Sequence, residues 1–140
     1  MNPYPVAPVN PADSAPPGGH YSHGSVANGF VFVSGQLPIA PDGRKLTDAP
    51  FADQARQALA NVEAVLRHAG SDIAHLVQVR VYIHSLDDWP AFNTVYAEWA
   101  GPCKPSRAVV PTGPLHHGLK VEVEAVAVLI DDRPYVSDGG

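Results

Sequence analysis

The longest regular pattern in the chain runs from about Pro50 to Ala69. Phe51, Ala55, Ala58, Leu59, Val62, Leu66 and Ala69 fall on one stripe at helical spacing, which predicts an amphipathic helix. Asp48 is placed to cap its start, Pro50 suits the first turn and Gly70 the stop. From Leu76 to His84 the period changes to two. Val77, Val79, Val81 and Ile83 alternate with Gln78, Arg80, Tyr82 and His84, as in a half-buried strand. A shorter helix is predicted from about Asp88 to Trp99, ended by Gly101-Pro102; its stripe of Trp89, Phe92, Tyr96 and Trp99 reads as helix-to-sheet core. Two strand candidates precede the first helix, Tyr21 to Val26 and Phe30 to Ser34. Asn28-Gly29 between them supplies the positive φ of a tight hairpin, and Gly35 ends the second. Ser106 to Val110 and Leu119 to Ile130 close the chain as strands. The order ββαβαββ predicts an α+β two-layer sandwich with both helices on one face of the sheet.

The last strand breaks the simple alternation. Val121, Val123, Ala125, Ala127 and Leu129 suit packing under the helices. On the other face Lys120, Glu122 and Glu124 give way to Val126, Val128 and Ile130. A solvent-facing sheet would be polar throughout, so part of this face is expected to be covered by another subunit. Glu122 and Glu124 then lie near the rim of an interface, or are two ordinary exposed glutamates.

Composition narrows the class. At 140 residues, 45% hydrophobic and 16% charged, the chain has room for one domain with a real core. Residues 1–19 hold Pro3, Pro5, Pro8, Pro11, Pro16 and Pro17 and predict a mobile or draped N-terminal tail, unable to form a helix or a central strand. No stretch approaches the roughly 18 to 20 apolar residues that span a membrane, and the start lacks the pattern of a signal peptide. A cytoplasmic protein with no membrane partner is the expectation. The formal charge of −5, with nine scattered Lys and Arg, lacks the basic footprint that nucleic acid requires. Cys103 is the single cysteine, which excludes an internal disulfide and a multi-cysteine metal site.

Candidate chemistry is sparse. There is no Gly-rich phosphate loop and no His-Glu zinc helix, and His116-His117 are adjacent, so in an extended chain they point apart. No metal or other cofactor is expected. Arg107 is the oddity, a permanent cation in the apolar run Ala108-Val109-Val110 after Pro105-Ser106. A buried arginine requires an anion, and its planar fork fits a carboxylate through two parallel hydrogen bonds. That carboxylate is either a glutamate of the same protein or a ligand.

Taken together, several segments resemble the Rid family, the reactive intermediate deaminases of YjgF type. They are His20-Tyr21-Ser22-His23-Gly24, Phe32-Val33-Ser34-Gly35-Gln36-Leu37-Pro38, Asn61, Phe92-Asn93-Thr94-Val95-Tyr96, Pro105-Ser106-Arg107 and Val121-Glu122-Val123-Glu124-Ala125. The resemblance spans about residues 20–130, with residues 131–140 left as a C-terminal tail. It implies the chorismate-mutase-like fold and a homotrimer around a central β-barrel, with clefts built from two chains. It also implies hydrolysis of 2-imino acids and their enamine tautomers to 2-keto acids and ammonia, without a cofactor. Position by position, Arg107 matches the arginine that grips the substrate carboxylate and Glu122 the glutamate near the attacking water. Tyr21, Ser34, Gly35 and Asn93 match residues lining the cleft, and Val109 stands where many of these deaminases carry a cysteine or another small residue. Leu115-His116-His117-Gly118 departs from the usual turn before the last strand, and His23 from the usual glutamine. The departures leave room for a pathway-specific deaminase of a larger unsaturated amino acid, or for a non-catalytic trimeric metabolite-binding protein.

Overall fold

The computed structural model describes residues 5–131, arranged as one six-stranded mixed sheet with two helices on one face. The elements are β1 (Ala7–Val9), β2 (Gly24–Ala27), β3 (Phe30–Gln36), α1 (Phe51–Ala69), β4 (Leu76–Ile83), α2 (Trp89–Ala100), β5 (Ser106–Pro111) and β6 (Val121–Val128). Strand order is β1-β2-β3-β6-β4-β5, and every pair is antiparallel except β4 and β5. Parallel neighbours need a long crossover, which α2 supplies. From β2 onward this is the ββαβαββ order read from the sequence.

Local signals explain the turns. Asn28 (φ 51°) and Gly29 (φ 82°) both take the left-handed region, joining β2 to β3 in a two-residue hairpin. Gly70 ends α1 with φ 94°. The start of α1 differs from expectation: Pro50, in extended conformation, stands at the cap position, and no side chain, Asp48 included, caps the first turn. The Pro50 carbonyl instead accepts from the N–H groups of Asp53 and Gln54.

The core lies between the helices and one face of the sheet. Val79, Val81, Ile83, Val121, Val123 and Ala127 from the strands meet Leu59, Val62, Leu66 and Phe92 from the helices, all fully buried or nearly so. Gln54, also fully buried, was absent from the expected stripe. Its amide donates to the carbonyls of Thr47 and Ala49 and accepts from the N–H of Lys120, so α1 ties the approach loop to the start of β6. A buried amide is tolerated because all of its polar groups find partners.

Three further expectations are corrected. The Pro-rich segment is not a free tail throughout: Ala7–Val9 pairs antiparallel with β2 and Val9 is fully buried. Proline at position 8 is compatible because β1 is an edge strand, where one missing N–H costs no ladder bond on the open side. Val77 is 43% exposed rather than core-facing, because the β4–β6 register shifts between Leu76 and Gln78 and an extra residue reverses the alternation. Gly35 does not end β3; the strand continues to Gln36 through a register shift between Val33 and Gln36. Of the expected C-terminal tail, residues 132–140 lie outside the described residues.

Candidate active site

Arg107 lies on β5, the outer strand of the sheet, in register with Val79 of β4. Val79 is fully buried under the helices, so the Arg107 side chain emerges on the helix-bearing face, where α2 borders it. Its Nη1 donates to Asn93 Oδ1 at 3.2 Å, and its Cζ stands 4.7 Å above the Tyr96 ring. Asn93 and Tyr96 are three residues apart on α2 and so share a face of the helix. The amide and the ring hold the guanidinium plane from two sides, by a hydrogen bond and a cation–π contact. Burial pushes the Tyr96 hydroxyl pKa up, with the Arg107 charge opposing. No described carboxylate pairs with Arg107. The glutamate salt bridge that the sequence left open is therefore not made within the described chain. Val109, two residues on, is half-buried against the core on the same face.

Glu122 belongs to the opposite face. It is in register with Tyr82 of β4, on the side that the helices leave uncovered. The β3 irregularity brings Gly35 against it: a Cβ at position 35 would stand 2.9 Å from Glu122 Cδ. Any larger residue there would push the Glu122 carboxyl from this position, and glycine leaves it in place. Burial raises the Glu122 carboxyl above the ordinary carboxylate range; His116 opposes the rise and Glu124 adds to it. Glu124, next on the same face, accepts a hydrogen bond from the Tyr82 hydroxyl and lies 3.8 Å from Arg80 Nη1. That bond, followed by burial, pushes the Tyr82 hydroxyl pKa up.

The sequence-derived set therefore divides in two. Arg107, Asn93 and Val109 gather under α2, and Gly35 and Glu122 gather on the uncovered face. Within one chain the sheet stands between the groups. Ser34 does not present a free hydroxyl: its Oγ donates to the carbonyl of Ser22 at 2.7 Å and its N–H to that of His23, fastening the segment before β2. Tyr21, 51% exposed, sets its ring edge-on to His23. With Gly35, both line a cavity of about 420 Å³ beyond the end of β3. Tyr96, the support beneath Arg107, was read only as core. Its second role depends on α2 bringing Tyr96 beside Arg107 of β5, which no local pattern reports.

No helix among the described residues is long and apolar enough to cross a membrane, and no group of three or more described His, Cys, Asp or Glu is placed to hold a metal ion.

The fold and these groups define a class: a small two-layer α+β domain with a cation on its edge strand and a partly desolvated glutamate on its uncovered face. The chain belongs to the YjgF/Rid/RutC family, since the family model described as endoribonuclease L-PSP matches residues 12–129. A RutC family protein of Pyrococcus horikoshii is 37% identical over 116 residues, covering 82% of this chain and 92% of that protein. The 2-iminobutanoate/2-iminopropanoate deaminase of Capra hircus is 33% identical over 110 residues, covering 79% and 80%. The crystal structure of E. coli TdcF with bound serine superposes with a TM-score of 0.80 at 31% identity, over 86% of this chain and 97% of that one.

Proposed function

We propose that this protein is a cofactor-independent deaminase of 2-imino carboxylates and their enamine tautomers, acting as a homotrimer whose sites each join two copies. The observation that carries the reading is the Arg107 cluster. Its guanidinium is oriented by Asn93 and Tyr96 and meets no carboxylate among the described residues. The deaminase name of the Capra hircus relative and the serine bound to TdcF support a small carboxylate as ligand.

In the proposed reaction Arg107 of one copy holds the substrate carboxylate through its fork and so fixes the position of the adjacent imine carbon. Glu122 of the neighbouring copy takes a proton from water as the oxygen bonds to that carbon. The C–N bond then breaks, the nitrogen leaves as ammonia, and the 2-keto acid remains. A carboxylate whose pKa burial has raised is a better proton acceptor than an exposed one, and the carboxyl so formed supplies the proton to the leaving nitrogen. The half-apolar face formed by Phe30, Phe32, Val126 and Val128 supplies the surface that neighbouring copies cover. The endoribonuclease of the family description is not our reading for this chain. A formal charge of −5 with scattered cations does not concentrate the positive charge that phosphate binding needs.

The test generates 2-aminoacrylate in situ with a serine lyase and follows imine decay. Wild type should accelerate decay, and Arg107→Ala should lose at least about a hundredfold in kcat/KM, the scale of removing a charged anchor. A wild-type rate equal to the spontaneous one would overturn the reading.

A further inference from the structure

Beyond the end of β3, the 420 Å³ cavity is larger than the reaction itself demands. Its volume lies within the range of small-molecule pockets and equals that of roughly a dozen waters, ample for more than a three-carbon acid. Gly35 belongs to its lining and also abuts Glu122, so the cavity adjoins the carboxylate assigned to the chemistry. The charge of its wall is one-sided. The chain has 14 acidic side chains against nine Lys and Arg, yet no Asp or Glu among the described residues lines the cavity, while Lys45 and His117 do.

These two residues are placed together by the backbone. Lys45 bridges Ile39 across a turn closed by the Ala40 N–H to the Arg44 carbonyl. Asn61 of α1 fastens the other limb of that turn by donating to the carbonyls of Leu37 and Ile39. Thr47, two residues after Lys45, donates its hydroxyl to the carbonyl of His117 at 2.8 Å. No described carboxylate pairs with Lys45. His23 forms a fixed wall: one ring nitrogen lies 2.6 Å from the Ala15 carbonyl and the other 3.3 Å from the Gln36 amide nitrogen.

We propose that this cavity is a second carboxylate subsite, with Lys45 as its anchor and His117 beside it, and that the preferred substrates are 2-imino dicarboxylates. The proposal rests on the deaminase reading above. Arg107 of a neighbouring copy holds the carboxylate next to the imine, and the side-chain acid extends past Gly35 toward Lys45. The chemistry is otherwise the same: water adds to the imine carbon, the C–N bond breaks, and ammonia and a 2-keto dicarboxylate are released.

The test compares 2-iminoglutarate with 2-iminopropanoate, each generated from its amino acid by a flavin oxidase with catalase removing the peroxide. Stopped-flow absorbance follows imine decay. In wild type kcat/KM should favour the dicarboxylic imine by about tenfold or more, and in Lys45→Gln that ratio should fall about tenfold. A wild-type ratio at or below one, or a ratio unmoved by Lys45→Gln, would overturn the proposal. If neither imine decays faster with protein, the deaminase reading fails by itself, and calorimetry with 2-oxoglutarate and 2-oxobutanoate decides the subsite. Tighter binding of the dicarboxylate, weakened in Lys45→Gln, sustains it; equal binding of the two acids overturns it.

Discussion

On the helix side of the sheet, Val121, Val123, Ala125 and Ala127 of β6 are buried, whereas Glu122, Glu124, Val126 and Val128 on the far side of the same strand are half-covered. The first face is closed by the chain's own helices and is apolar from end to end. The second is polar toward the start of β6 and apolar toward its end, where Phe30 and Phe32 add rings 40% and 45% exposed. One strand thus serves two purposes through its alternation. Its inward side chains hold the domain together, and under the proposed function its outward ones serve assembly and chemistry. Arg107 and Glu122 follow the same division, which is why a site that uses both needs a second copy.

One substitution on each side of the sheet should separate these purposes. Leu66→Ala, in the fully buried helix face, should cost about 2–5 kcal/mol of unfolding free energy in denaturant titrations. Phe32→Asp on the other face should cost the single domain under about 1 kcal/mol, since the ring is already half in water. The same change should convert the assembly to monomers in light scattering and remove activity with it. A Phe32→Asp protein that stays assembled would break the comparison.

Glu122→Gln sharpens it on the uncovered face. Burial raises the folded-state pKa of this carboxyl above its unfolded value, so its ionised form costs stability at pH values above the folded pKa. That cost vanishes as pH falls and the group takes up a proton. Removing the charge should therefore raise the neutral-pH Tm by roughly one to three degrees, with the gain fading as pH falls through the carboxylate range. Activity should fall over the same neutral range. A loss of both stability and activity would mark Glu122 as a structural group instead.

The helix face was largely legible in the sequence because its signals are local. Period two in β6, period 3.6 in α1, Asn28-Gly29 and Gly70 each act through their own neighbours. What escaped was set by distant partners. The irregularities at Val77 and Gly35 exist only relative to β6, and β1 forms only because β2 offers an edge to a proline-bearing segment. Asp48 looked like a cap, yet the Pro50 carbonyl does the first turn's work. Of the candidate site, Arg107 stood out as a cation among apolar neighbours. That Asn93 and Tyr96 hold it, and that Glu122 lies across the sheet, follow from strand order and from α2.

The shared site can be tested by mixing two inactive proteins. Arg107→Ala and Glu122→Gln, unfolded together in equal amounts and refolded, should form mixed assemblies in which one copy supplies Arg107 and its neighbour Glu122. Random assortment leaves roughly one quarter of the sites with both groups intact, and imine decay should recover to about that fraction of the wild-type rate. Mixed assemblies shown by mass spectrometry to have formed, yet with no activity regained, would contradict the account.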